Sequence, residues 1–141
     1  MERISVQITA TLPPEACAIR EAVFVEEQGF TDEFDELDGV SLHLVLFVGV
    51  VSAAVSRVYW DGDRQQHILG RVAVSQPFRG RGLGAAVVAA AEDRVRELGG
   101  RELHLHAQCR ITGFYEAIGY TQYGPIEDDQ GCPHIWMVKK L

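Results

Sequence analysis

The chain has 141 residues, of which 47% are hydrophobic, and a formal net charge of −7 at pH 7. This length and apolar fraction predict a single globular domain spanning residues 1–141 rather than two domains. The acidic balance argues against a protein that chiefly binds nucleic-acid phosphates or an anionic membrane surface, whereas it would suit a cationic substrate such as an amine.

The three cysteines form an odd set without paired spacing: Cys17, Cys109 and Cys132. The sequence shows neither a basic and apolar N-terminal leader nor an apolar run of about 18 residues. We therefore expect a cytoplasmic protein with reduced thiols and no membrane contact.

The first part of the chain predicts a strand, a helix and an acidic segment. Apolar and polar residues alternate over Ile4–Thr9, as in a half-buried strand. Apolar residues recur at helical spacing from Glu15 to Glu27, and Pro14 suits a first helical turn. The acidic stretch Asp32–Asp38, which ends at Gly39, predicts a loop or one or two helical turns. We expect a solvated face there, which beside a cleft would attract polyamines or lysine side chains.

Three strands are predicted next. Apolar runs over His43–Val48 and Val50–Tyr59 flank Gly49, which indicates antiparallel strands joined by a tight turn. A further strand is expected over His67–Val74.

A long helix and another strand follow. One face of Leu83–Leu98 is apolar and the other charged, and the glycine pair that begins at Gly99 ends the helix. Over Glu102–Gln108, His104 and His106 alternate with leucines, which predicts a strand with an imidazole-bearing face.

The last elements predicted are a short helix over Ile111–Ile118 and strands around Thr121–Ile126 and His134–Val138. This order of elements indicates a mixed α/β sheet. The apolar last strand would suit either burial within one chain or pairing across an interface, so a monomer and a homodimer both stay open.

The most distinctive loop is FRGRGLG, which lies between a predicted strand and the long helix. Glycines at 80, 82 and 84 would let backbone amides approach an anion, and Arg79 and Arg81 would add positive charge. A plain exposed turn is the alternative. No Gly-Lys-Ser/Thr follows, which excludes a Walker loop, and the next strand lacks the carboxylate that a dinucleotide site needs.

Two segments resemble the motifs of one family, the GNAT N-acetyltransferases. VAVSQPFRGRGLG, residues 72–84, is similar to that family's acetyl-CoA motif Q/R-x-x-G-x-G/A, filled here by Arg79, Gly82 and Gly84. QCRITGFYEAIGY, residues 108–120, is similar to its second motif. VFVEEQG and GCPHIWMVK resemble a bacterial subgroup whose substrates are mostly unassigned. The resemblance implies a mixed, mostly antiparallel central sheet flanked by helices.

The resemblance also implies acetyl-CoA as the acetyl donor and no metal. The implied contacts to it come from the strand before the loop, the loop itself and the second motif: Val72, Ala73, Val74, Arg79, Gly80, Arg81, Gly82, Leu83, Gly84, Ala85, Gln108 and Tyr115. An amide near Val74 would stabilise the oxyanion. Gln108 stands where the family usually has asparagine. A zinc site built from the nearby histidines and cysteines matches no known spacing.

The catalytic groups implied by the resemblance are a general acid and a base. Tyr115 corresponds to the family's tyrosine acid, although it could instead be a packing residue. The strand before the loop lacks the glutamate base that many relatives carry, so Glu26 and His106 are the candidates. The alternatives are that His106 is a structural strand histidine and that Glu26 only binds a cationic amine. Glu27 and His134 are expected to bind the acceptor or to relay its proton through a water.

The expected function is transfer of an acetyl group from acetyl-CoA to a primary amine in a ternary complex. No activated nucleophile is evident, although Cys109 could provide a covalent route. The alternatives are an acyl-CoA sensor or interaction module without turnover, and acetylation of protein lysines or N-termini. We expect a small-molecule or peptide amine as the partner and no nucleic acid.

Overall fold

The fold is an open sheet with helices on both faces. The computed structural model describes residues 2–141. The seven strands are β1 (Ile4–Thr9), β2 (Leu42–Val48), β3 (Val51–Asp61), β4 (Gln66–Val74), β5 (Glu102–Gln108), β6 (Thr121–Asp129) and β7 (Cys132–Lys140). The α-helices are α1 (Pro14–Arg20), α2 (Leu83–Glu97) and α3 (Thr112–Ala117).

The strand order is β1-β2-β3-β4-β5-β7-β6. Every neighbouring pair is antiparallel except β4 and β5, which are parallel and are connected through α2. This confirms the mixed, mostly antiparallel sheet flanked by helices. Strand β7 lies between β5 and β6, so pairing within the chain accounts for its apolar residues.

One face of the sheet is covered by α1 and its extension. The helix predicted over Glu15–Glu27 is present, but after Arg20 it widens into a π-helical segment, Glu21–Glu27. Ala16, Ile19 and Val23 pack on residues of β2, β3 and β4. The periodicity locates the helix correctly because both helical forms keep these side chains on one face.

The other face is covered by α2, close to its predicted span. Leu83, Val87, Val88, Ala91 and Val95 are almost fully buried and pack in the larger core. Each apolar side chain of this size contributes about 1.5–3 kcal/mol when it is fully buried. This packing fixes the N-terminus of α2 beside the end of β4.

The last hairpin is longer than predicted. Strand β6 reaches Asp129 and β7 begins at Cys132, whereas the apolar pattern covers only Thr121–Ile126 and His134–Val138. The residues added to β6 are acidic and belong to an edge strand that backbone pairing with β7 holds, with Glu127 opposite His134. Among residues 2–141, no helix combines the length and apolarity needed to span a lipid bilayer.

Candidate active site

A cleft opens where β4 and β5 separate. The two parallel strands pair only at Ile68 with His104 and at Leu69 with Leu105. Beyond these positions β5 stays paired with β7 as far as Gln108, so the two strands diverge. Side chains from both strands, from the π-helical extension of α1 and from α3, β6 and β7 line the cleft.

A bulge bends β4 at the cleft. Ala73 pairs with Val55 and Gly70 with Arg57, so β4 has one residue more than β3 between these pairs. Arg71 lies in the bulge with a left-handed φ of 52°, which is strained for a residue other than glycine. Beyond the bulge lies Val72–Val74, the segment expected to hold the cofactor arm.

The glycine loop leaves a row of backbone amides free. Gly80 and Gly82 have φ values of 81° and 74°, which a side chain would disfavour, and Gly82 caps α2. The amides from Gly80 to Ala85 donate to no acceptor within residues 2–141. Free amides at a helix N-terminus form an anion-binding site.

Gly84 has a different role, because a side chain at this position would crowd the residues packed against it. A Cβ atom there would lie 3.2 Å from Cζ of Phe114 and 3.6 Å from Cγ2 of Val74. The first turn of α2 therefore packs directly on α3 and the end of β4. Sequence reasoning assigned Gly84 to the anion loop and missed this packing role.

Arg79 is paired with Glu27 on the extension of α1. Its guanidinium donates to both carboxylate oxygens of Glu27, at 2.7 and 2.8 Å, and its Nε donates to the carbonyl of Val74 at 3.1 Å. The hydrogen bond from Arg79 lowers the pKa of Glu27. Glu27 is thus joined to the glycine loop and is absent from the cleft lining, while the guanidinium of Arg81 lies over the Phe78 ring.

Tyr115 presents a buried phenol to the cleft. Its residue is 6% exposed, and its ring packs edge-on against Phe114 and Tyr120. Its hydroxyl makes no hydrogen bond to another residue within 2–141, although the side chain lines the cleft. Burial raises the pKa of Tyr115 far above its ordinary value, so the phenol is protonated at neutral pH.

Gln108 joins the end of β5 to the extension of α1. Its Nε2 donates to Oε1 of Gln28 at 2.9 Å, and its Oε1 accepts from Nε of Arg110 at 2.8 Å. The side chain lines the cleft and is largely buried. The longer glutamine therefore reaches a partner on another element.

Two histidines line the opposite wall of the cleft. The rings of His106 and His134 lie 5.1 Å apart, and His106 stacks on Trp136 at 4.7 Å. His134 donates from Nδ1 to the carbonyl of Cys132 at 2.8 Å. Burial, together with His134, lowers the pKa of His106, so its imidazole is neutral at pH 7.

Glu26 lies apart from these groups. It is exposed and is absent from the residues that line the cleft. The structure thus brings Tyr115, Gln108, His106 and His134 together around one cleft but places both candidate glutamates outside it.

The acidic segment is only partly the solvated face that the sequence predicts, since Asp32 and Glu36 are exposed but Glu33 and Asp38 are buried. Glu33 is 6% exposed and lines the cleft, and its Oε2 lies 2.8 Å from Nε of Arg20 and 2.9 Å from Nε of Arg71. Asp38 accepts from Arg20 and from Arg57. The prediction missed the two buried carboxylates because their arginine partners lie in apolar runs far away in the sequence, although an arginine within such a run is itself a sign of a buried ion pair.

The arrangement suits acyl transfer. Free amides for an anion lie at the N-terminus of α2, just after β4, and a protonated phenol and a neutral imidazole line the cleft. These are the groups needed to hold a phosphate-bearing donor, protonate a leaving thiolate and remove a proton from a nucleophile.

Comparisons with known proteins agree with this chemistry. A family model described as an acetyltransferase (GNAT) domain matches residues 9–141. A Bacillus subtilis (strain 168) protein, provisionally named an acetyltransferase, is 38% identical over 130 residues, which cover 89% of this chain and 87% of that protein.

Solved structures give the same result. The crystal structure of a provisionally named N-acetyltransferase from Lactobacillus plantarum matches with a TM-score of 0.88 and 29% identity over 98% of both chains. The structure of an acyl-CoA N-acyltransferase from Pseudomonas aeruginosa matches with a TM-score of 0.82 and 26% identity over 99% of both chains. The chain therefore belongs to the GNAT acetyltransferase family and is an acyl-CoA-dependent acyltransferase.

Proposed function

We propose that this enzyme transfers the acetyl group of acetyl-CoA directly to a primary amine while both substrates are bound. The observation that carries the proposal is the separation of β4 from β5, which leaves the hydroxyl of Tyr115 unpartnered in a cleft while the free amides of the glycine loop follow directly after the end of β4. The GNAT family uses acetyl-CoA as its acetyl donor.

The donor would bind mainly through backbone groups. The amides from Gly80 to Ala85 would hold the pyrophosphate, with Arg81 adding charge from the side. The edge of β4 at Val72–Val74 has no partner from β5 and would pair with the pantetheine arm, and an amide near Val74 would stabilise the oxyanion. Gln108 would contact the arm from the other wall.

Two side chains would move the protons. The neutral amine attacks the thioester carbonyl carbon, the C–N bond forms, and the amine proton passes to His106 directly or through a water. The C–S bond then breaks and the leaving sulfur takes the phenolic proton of Tyr115. Solvent restores that proton and accepts the one on His106, which leaves an N-acetyl amine and coenzyme A.

The first test is ligand-induced stabilisation followed by turnover. In thermal unfolding with acetyl-CoA, coenzyme A, NADPH and ATP, only the two coenzyme A species should stabilise the protein, by about 2.7 kcal/mol at 100 times the dissociation constant. A panel of small primary amines and lysine peptides then identifies an acceptor. Stabilisation by NADPH alone, or by none of the four, would contradict the assignment of the glycine loop.

A pair of tyrosine variants tests whether Tyr115 is the general acid. Tyr115→Phe should lower kcat by about 100-fold or more with unchanged acetyl-CoA affinity. Tyr120→Phe is the matched control, because its hydroxyl donates to Glu92 at 2.9 Å outside the cleft lining. It should lower stability by about 1–3 kcal/mol and leave kcat nearly unchanged. Equal kcat values for the two variants would exclude Tyr115 as the acid.

A further inference from the structure

The two ring nitrogens of His106 have different surroundings. Nε2 is enclosed by the protein without a hydrogen-bond partner within residues 2–141, and it lies 3.5 Å from Oε1 of Glu127. Nδ1 makes no hydrogen bond to any of these residues and is not among the enclosed atoms. The ring itself is held in place between Trp136 and His134.

Strand register explains why Glu127 is the carboxylate that meets this ring. Trp136 pairs with His106 across β5 and β7, and Glu127 pairs with His134 across β7 and β6. Glu127 therefore lies on the same face of the sheet as both histidines. Asp128 pairs with Pro133 and points to the opposite face, because side chains alternate along a strand.

The other charged groups around His106 do not replace Glu127. Asp129 lies on β6 and His134 on β7, and Arg64 from the turn between β3 and β4 stacks on Trp136 at 4.1 Å. Arg64 and His134 both disfavour a positive charge on the ring, whereas Glu127 and Asp129 favour it. Of these acidic groups, Glu127 lies within ion-pair range of a ring nitrogen.

We propose that Glu127 is a positioning residue that accepts a hydrogen bond from the Nε2–H of His106 and thereby leaves Nδ1 as the base toward the amine in the cleft. This rests on the proposed function, in which His106 takes the proton of the attacking amine. The distance of 3.5 Å is too long for a strong hydrogen bond, but the Glu127 side chain is 51% exposed and has room to move closer.

The pairing has two chemical consequences. A carboxylate that accepts from one ring nitrogen fixes the tautomer and makes the other nitrogen more basic. When Nδ1 takes the amine proton, the positive ring faces a negative carboxylate, so the proton transfer does not leave an uncompensated charge in the cleft. Glu127 itself gains no proton in this step.

The direct test is imidazole nitrogen NMR on the full chain, with His106→Gln used to assign the resonance. The wild-type protein should show His106 as the Nε2–H tautomer. Glu127→Gln should mix the tautomers and lower the pKa of His106 by about half a unit, because a neighbouring negative charge has been removed. Asp128→Asn makes the same charge change on the same strand and should leave the resonance unchanged.

Kinetics with the acceptor from the amine panel provides the second readout. Glu127→Gln should lower kcat about tenfold, move the acidic limb of the kcat/KM profile to lower pH and leave the KM for acetyl-CoA unchanged. Asp128→Asn should resemble the wild type in all three.

The outcomes separate the two proposals. An Nδ1–H tautomer in the wild-type protein, or equal effects of Glu127→Gln and Asp128→Asn, overturns the role of Glu127 while acetyl transfer stands. A protein that neither binds acetyl-CoA nor acetylates an amine overturns the proposed function, and the NMR result still decides whether Glu127 sets the tautomer.

Discussion

Individual glycines of the loop serve different physical purposes. Gly80 and Gly82 adopt left-handed backbone conformations, and a Cβ atom there would meet no neighbour but would strain the backbone. Gly84 has no such conformation, but Phe114 lies close to the place that its Cβ atom would take. The motif spacing therefore combines a conformational and a packing requirement.

Gly82→Ala tests the conformational requirement alone, because a Cβ atom at position 82 would meet no neighbour. We expect a loss of about 1 kcal/mol in the free energy of unfolding, because alanine is strained at φ 74°, and weaker acetyl-CoA binding because the amides at the α2 N-terminus shift. Gly113→Ala is the control, since Gly113 is helical and has nothing within 4 Å. It should raise stability by up to about 1 kcal/mol.

Chemical denaturation and calorimetric titration with acetyl-CoA measure both effects. If Gly82→Ala bound acetyl-CoA as tightly as the parent, the free amides would not be the anion site.

At the scale of elements, the end of the α1 extension and the residues that follow it, 27–31, contact the glycine loop and the walls of the cleft at three points. Glu27 pairs with Arg79 of the glycine loop, Gln28 accepts from Gln108 of β5, and the backbone and hydroxyl of Thr31 donate to Gln130 between β6 and β7. The segment thereby connects the loop with both walls of the cleft.

The pair between Glu27 and Arg79 should affect cofactor binding more than stability. Both side chains are about 40% exposed, and exposed ion pairs contribute little to stability because solvent screens them. Glu27→Gln should tighten acetyl-CoA binding by about two- to fivefold, because it frees Arg79 and removes a negative charge near the pyrophosphate site. The melting temperature should change little.

Glu26→Gln is the matched control for this change. It removes the same charge one residue away, from a side chain outside the cleft lining, and should leave the affinity nearly unchanged. Titrations at two salt concentrations measure both variants, since an electrostatic gain must shrink with added salt. Weaker binding by Glu27→Gln would show that the pair holds the loop in its binding conformation.

The same elements show what the sequence could predict. The apolar spacing over α2 and the alternation over β5 located both elements nearly to the residue, because local periodicity reports burial. The contact between Arg79 and Glu27 joins residues 52 apart, and the contact between Gln28 and Gln108 residues 80 apart. Such partners depend on how elements pack, and local patterns carry no information about that.

At the scale of the whole molecule, an ionic network joins the acidic segment to three elements. Glu33, Asp35 and Asp38 pair with Arg20 of α1, Arg57 of β3 and Arg71 of β4. The three carboxylates and three guanidiniums balance in charge, so the network itself provides no net attraction for a cationic acceptor. Its role is to hold the bulged part of β4 beside the cleft.

This network should make the free energy of unfolding depend on pH in the acidic range. Burial alone would raise the pKa of Asp38, but hydrogen bonds from Arg20 and Arg57 outweigh it and lower the pKa from its ordinary 3.8 to about 2. A carboxyl with a lowered pKa in the folded state contributes stability above its unfolded pKa. That contribution is lost as the pH falls from about 5 to about 2.

Asp38→Asn tests this contribution. At pH 7 it should lower the free energy of unfolding by about 3–5 kcal/mol, because two buried guanidiniums lose a charged partner. Asp93→Asn is the control, since Asp93 is exposed and pairs with Arg96 on α2, and it should cost less than about 0.5 kcal/mol. Urea titrations from pH 7 to pH 2 measure the free energy of unfolding of the parent and of Asp38→Asn. The difference between the two free energies should be constant above about pH 5 and shrink below it, because the Asp38 carboxylate takes up a proton more readily in the unfolded parent than in the folded parent. A free-energy difference that stays the same down to pH 2 would mean that the arginines do not stabilise the Asp38 carboxylate. The network would then hold β4 through shape and neutral hydrogen bonds alone.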